Sequence, residues 1–171
     1  MIGVGKSLRE MSPAMRKVLH FDSPREKYRC DASVVSCFDN RFDAVCRKLL
    51  KRIGVVQPDA IRIAGGAKAL ASPEEEFDRA FVLEQIRKSI RLHESERAIL
   101  MLHSDCGAYG GLAARFRGDT EAEATHYRAE LGRASELLKA AIPSLTVECF
   151  FLNFEGAWVV EEGSADRRQI P

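Results

Sequence analysis

Several things are scarce in this chain, and each scarcity excludes something. No run of about 18 apolar residues occurs, so no membrane-spanning helix is expected. Neither charge predominates: 26 Lys and Arg stand against 25 Asp and Glu, a formal net charge of +1. Whole-chain electrostatics therefore argues for neither a nucleic-acid nor a membrane partner. There is no internal repeat and no low-complexity stretch. The first residues, MIGVGKSLREMSPAMRKVLHF, contain no continuous apolar segment of the export type. Cysteines are few and odd in number, at 30, 37, 46, 106 and 149. A disulfide framework is not expected, and the reading is a cytoplasmic protein with reduced thiols.

What is present is an ordinary globular composition, 46% hydrophobic and 30% charged over 171 residues. That length suits one domain able to bury a core. We expect an N-terminal arm or helix over 1–29, with a helix near Pro13–His20, a single α/β domain over 30–162, and a C-terminal tail over 163–171.

Four short apolar runs read as strands: Ala32–Phe38, Ala60–Gly66, Ala98–Ser104 and Thr146–Phe154. Between them, Phe42, Val45, Leu49, Leu50 and Ile53 recur at helical spacing and stop at Gly54. Ser72, Pro73 and Glu75 form a capping-box pattern for a helix that points Phe77, Phe81, Ile86 and Ile90 at the core. GAYGG, from Gly107 to Gly111, turns the chain into another helical stretch. Thr120 and Glu123 cap a helix through Tyr127, Leu131 and Leu138 that ends before Pro143. AWVVEE is read as a returning antiparallel edge strand. The alternation predicts a mostly parallel sheet flanked by helices, with right-handed crossovers.

In such sheets ligands bind at the carboxyl ends of strands. Cys37 falls at the end of the first strand. His103 and Cys106 fall at and just past the end of the third. Two thiols and an imidazole match the ligand preferences of Zn2+, and a set of three leaves a fourth position open, as in catalytic sites. Asp39, two residues from Cys37, is placed to act as a proton acceptor. Arg41 can grip it in a two-pronged pair. Cys30, Cys46 and Cys149 are read as core residues, and His20, His93 and His126 as surface residues of helices.

Cys37-x-Asp39-x-Arg41 in VVSCFDNRF, followed by His103-x-x-Cys106-Gly107 in ILMLHSDCGAYGG, resembles the β-class carbonic anhydrases. IRIAGG, from Ile61 to Gly66, is similar to the glycine-bearing strand end that those enzymes place between the two motifs. Ile63 stands where they usually carry Asn. The resemblance spans roughly Cys30 to Trp158. It implies a β-carbonic-anhydrase-like α/β fold and one zinc ion on Cys37, His103 and Cys106. It further implies an orienting Asp39–Arg41 dyad, and a Gly107 backbone N–H near the substrate oxygens at a helix start. The implied activity is reversible hydration of carbon dioxide to bicarbonate by a homodimer or higher oligomer. The alternatives are hydrolysis of carbonyl sulfide or carbon disulfide at the same site, and a zinc-binding regulatory or assembly protein of weak catalysis.

Overall fold

In the computed structural model, residues 16–161 are described. Five strands form one sheet in the order β2-β1-β3-β4-β5. These are β1 (Ala32–Cys37), β2 (Pro58–Ile63), β3 (Arg97–His103), β4 (Thr146–Asn153) and β5 (Gly156–Val159). The first four run parallel, and β5 returns antiparallel beside β4, pairing Leu152 with Ala157. The helices are α1 (Asp43–Arg52), α2 (Lys68–Ala71), α3 (Glu76–His93), α4 (Leu112–Phe116) and α5 (Thr120–Ala141).

The sheet is covered on both faces, which explains why β3 reads as apolar throughout. Side chains alternate between faces along a strand. Ala98, Leu100 and Leu102 join a core built with Val82, Ile86, Tyr127, Leu131 and Leu138. Ile99 and Met101 face the other side, with Phe42, Leu50 and Val55. Phe42, Val45, Leu49, Leu50 and Ile53 pack that second face as their spacing predicts, and Cys46 joins them. Gly54 ends the stretch at φ 79°, a left-handed position that suits glycine.

Several expectations need correction. Residues 16–20 are not helical, and 13–15 lie outside the described residues, as does the expected tail from Gly163. Ser72 does not cap α3. It closes the four-residue α2 and donates its hydroxyl to Glu130, while α3 begins after Glu75 without a side-chain cap. Ile86 of α3 is buried, but Phe77 and Phe81 are exposed, at 74% and 45%. They stack on each other instead, with centroids 6.3 Å apart. The cap of α5 is Asp119, whose carboxylate accepts from the Glu121 and Ala122 backbone N–H groups, so Glu123 is free for another task.

Two histidines are also more engaged than a surface reading allows. His93 Nδ1 lies 2.8 Å from Asp59, which also accepts from Tyr28 and Ser89. His126 Nε2 is buried, its ring packed near Tyr109 and Phe116. Cys30 and Cys149 are buried and Cys46 half-buried, and all five cysteines are free. Among the described residues no helix is long and apolar enough to cross a membrane.

Candidate metal centre

Cys37 is the last residue of β1 and His103 the last of β3, and these strands are parallel neighbours. Topology alone therefore puts both side chains at the carboxyl edge of the sheet. A tight turn through Ser104 and Asp105 brings Cys106 back to the same place. Asp105 sits there at φ 54°, a conformation that Asp and Asn tolerate better than most residues. Gly66 closes the site from the β2 side. Its φ is 55°, and a Cβ there would lie 2.6 Å from the Met101 carbonyl oxygen and 2.9 Å from the Cys37 nitrogen. Only a glycine fits that approach.

The donor atoms of Cys37, His103 and Cys106 all lie within 4.8 Å of one another. Zinc bonds of about 2.3 Å to sulfur and about 2.0 Å to nitrogen, in tetrahedral array, bring donors to about 3.5–3.8 Å apart. The cluster is thus within small side-chain adjustments of a shared ion. Among the described residues it is the one group of three such donors so disposed.

His103 carries the clearest sign of a ligand role. It is 3% exposed, and its Nδ1 faces the Ser104 carbonyl oxygen at 2.8 Å. A carbonyl only accepts, so Nδ1 holds the proton and Nε2 presents a bare lone pair. That Nε2 is buried with no hydrogen-bond partner. Buried polar atoms are rarely left so, and a bound cation would satisfy this one. The Phe42 ring packs against the imidazole at 4.5 Å and fixes its plane.

The thiols are poised in the same sense. Cys37 is shifted strongly down, first by the Cys106 thiol that donates to it, then by His103 and the Asp39 and Gly65 backbone N–H groups, against burial. Cys106 is shifted up by the neighbouring Cys37 sulfur, beside which a second negative charge is disfavoured, and by burial. For His103, burial pulls down, but the negative charge of the neighbouring Cys37 sulfur and the Ser104 carbonyl outweigh it and the shift is upward. Two sulfurs and a nitrogen gathered this closely in a largely buried place are suited to a divalent cation in their midst.

Asp39 and Arg41 form the expected pair. Arg41 Nη2 donates to Asp39 Oδ2 at 2.7 Å, and Nε reaches both carboxylate oxygens at 3.1 Å. Arg41, through side chain and backbone N–H, holds Asp39 down at about 2. Asp39 Oδ2 lies 4.0 Å from His103 Nε2, beside the donor triangle and outside it. Cys37, Asp39, Arg41, His103, Cys106 and Gly107 all line one open cleft of about 460 Å³. Gly107 begins a three-residue 3-10 turn rather than the helix expected there, and α4 has only five residues.

The roles of two residues of the site escaped sequence reasoning. Asp105 Oδ2 accepts from Arg41 Nη1 at 2.9 Å, and its Oδ1 accepts from the Leu112 N–H at 2.9 Å. Glu123, 1% exposed on α5, accepts from the Ser104 hydroxyl and from the Asp105 N–H. The available signal was weak: an Asp inside the His-x-x-Cys turn, and a Glu on the buried stripe of Tyr127 and Leu131.

A family model described as "Putative carbonic anhydrase" matches residues 28–162. Relatives by sequence include uncharacterized proteins of Rickettsia bellii and Rickettsia conorii. Each is 28% identical over 131 residues, or 75% of this chain and respectively 79% and 69% of theirs. Among solved structures, the carbonic anhydrase of Streptococcus mutans superposes with TM-score 0.54 at 15% identity, over 79% of this chain and 84% of that one. The β-carbonic anhydrase isoform I of Trichomonas vaginalis gives 0.55 at 11% identity, over 82% and 87%. The apo form of a carbon disulfide hydrolase gives 0.52 at 10% identity, over 84% and 89%. At these identities the structural likeness shows a shared fold.

Proposed function

The chain belongs to the carbonic-anhydrase family whose model it matches, and from that membership and its centre we propose that it is a zinc-dependent enzyme for the reversible hydration of carbon dioxide. The observation that carries this reading is the unpartnered, buried His103 Nε2 at the apex of a two-thiol cluster. Cys37, His103 and Cys106 would hold one Zn2+. When bound, zinc supplies Lewis acidity that makes a nucleophile of water near neutral pH.

The chain's own residues do the rest. Two thiolates cancel the charge of a divalent ion and so weaken its pull on a water proton. An ionised carboxylate beside the site then matters more. Asp39 is that group, kept anionic by Arg41 at any physiological pH. It accepts the hydrogen bond of the attacking water and so orients it toward the substrate. The Gly107 backbone N–H is offered to the substrate oxygens from the cleft wall. The stacked, exposed Phe77 and Phe81 support assembly into a homodimer or higher oligomer. Five free thiols suit a reducing compartment, hence the cytoplasm.

Stopped-flow hydration of carbon dioxide by the zinc-loaded chain tests the reading, with carbonyl sulfide and carbon disulfide assayed beside it. Hydration far above the buffer rate is expected. Zinc bound without hydration would leave a regulatory or assembly protein. Turnover of the sulfur compounds alone would change the substrate and keep the site.

A further inference from the structure

We propose that Asp105 is a positioning residue of this centre: by holding Arg41 from the β3 side, it keeps Asp39 beside the donor cluster and out of it. The inference rests on the metal-binding reading above and adds to it a residue at a position that the His-x-x-Cys pattern leaves unspecified.

Asp39 and Arg41 belong to one turn after β1. Their mutual bonds travel with that turn and cannot fix where the pair stands. The tie to the other strand is Asp105, 64 residues away. Its Oδ2 accepts from Arg41 Nη1 at 2.9 Å, and its carbonyl oxygen accepts from Arg41 Nη2 at 3.1 Å. Arg41 thus spends one side of its fork on Asp39 and the other on Asp105.

Asp105 can serve as an anchor because it is itself held. Leu112 N–H donates to Oδ1, and the Asp105 N–H donates to Glu123 Oε1 at 2.7 Å. The chain of bonds runs from buried Glu123 through the turn to Arg41 and ends at Asp39. Asp39 Oδ2 stands 4.0 Å from His103 Nε2. A carboxylate so near a divalent cation is a competing ligand unless something restrains it.

The test uses Asp105→Asn. Asn accepts the left-handed backbone as Asp does. Its amide oxygen can still take the Leu112 N–H, but its amide nitrogen then faces Arg41 as a second donor. Wild type, D105N, D39A and the D39A/D105N double variant are loaded with cobalt(II) and titrated with thiocyanate, an anion that needs an open coordination position. Visible absorption of the cobalt reports both uptake and anion binding.

Wild type should take up cobalt and bind thiocyanate. D105N should bind thiocyanate about tenfold more weakly, the scale of one lost charge-assisted hydrogen bond. D39A and the double variant should bind it equally, because the competing carboxylate is gone in both. D105N titrating like wild type overturns the inference, and so does a double variant as much weaker than D39A as D105N is than wild type. A wild type that takes up no cobalt overturns the metal reading and this inference together. Should D105N fail to fold, Arg41→Lys replaces it, since an ammonium cannot span both carboxylates. The same weakening and the same rescue by D39A are then expected, and their absence overturns the inference equally.

Discussion

The backbone N–H of Asp105 donates to Glu123 Oε1 at 2.7 Å, a bond that spans 18 residues. Through it, α5 grips the turn that separates His103 from Cys106. The other oxygen of Glu123 takes the Ser104 hydroxyl, and the Ser104 carbonyl oxygen in turn sets the tautomer of His103. One buried carboxylate therefore sits beneath the geometry of two donors.

Glu123→Ala should leave the Asp105 N–H and the Ser104 hydroxyl without their acceptor. The expected cost is about 2–3 kcal/mol of unfolding free energy, read from urea titration. Glu123→Gln keeps an acceptor for the N–H and should cost about 1 kcal/mol. Equal stability of the alanine variant and wild type would show that Glu123 is not a structural support of the turn.

Cys37→Ser should release zinc. An alcohol is a far poorer ligand than a thiolate, and the two remaining donors cannot define a site. Elemental analysis after gel filtration is the measurement. A full equivalent of metal retained by the variant would remove Cys37 from the ligand set.

Asp39→Ala should keep the metal and lose rate. We expect hydration slower by about one hundredfold, the scale for losing a preorganised hydrogen-bonding group beside the reacting atoms. An unchanged stopped-flow rate, with zinc still bound, would take Asp39 out of the mechanism.

The tyrosines give a pH signature. All three are shifted upward. Tyr28 rises from 10.0 to about 12, first because its hydroxyl donates to Asp59. For Tyr109 and Tyr127 burial is the first cause. Between 10 and about 12 the unfolded chain has released a proton that folded Tyr28 still holds. The stabilisation is therefore whole below pH 10 and is lost as pH rises through about 12. Ultraviolet absorbance should show little phenolate near pH 10 and a cooperative rise on alkaline unfolding. About half of the full tyrosinate signal from the folded protein at pH 10, as unperturbed tyrosines would give, would contradict this.

Much of the centre was legible in the sequence, for identifiable reasons. Cys37, His103 and Cys106 combine ligand chemistry with strand-end positions, and parallel pairing of β1 with β3 makes strand ends meet. The Asp39–Arg41 pair is local, two residues apart, so spacing alone suggests it. Asp105 and Glu123 were hidden because their roles depend on a left-handed turn and on a helix packed beneath it. No periodicity reports either. The Phe77 and Phe81 error has a different origin. Helical spacing shows that a face is apolar, but it cannot say whether the same chain covers it. At Ser72, the capping pattern lost to a short helix that ends there and to the buried carboxylate of Glu130.

The most direct measurement of the central claim is X-ray absorption at the zinc edge on the purified, metal-loaded protein. Two sulfur neighbours at about 2.3 Å and one imidazole nitrogen at about 2.0 Å, with one further light atom, are the expected first coordination sphere. A zinc environment of oxygen and nitrogen alone, or a protein that binds no stoichiometric zinc, would contradict it.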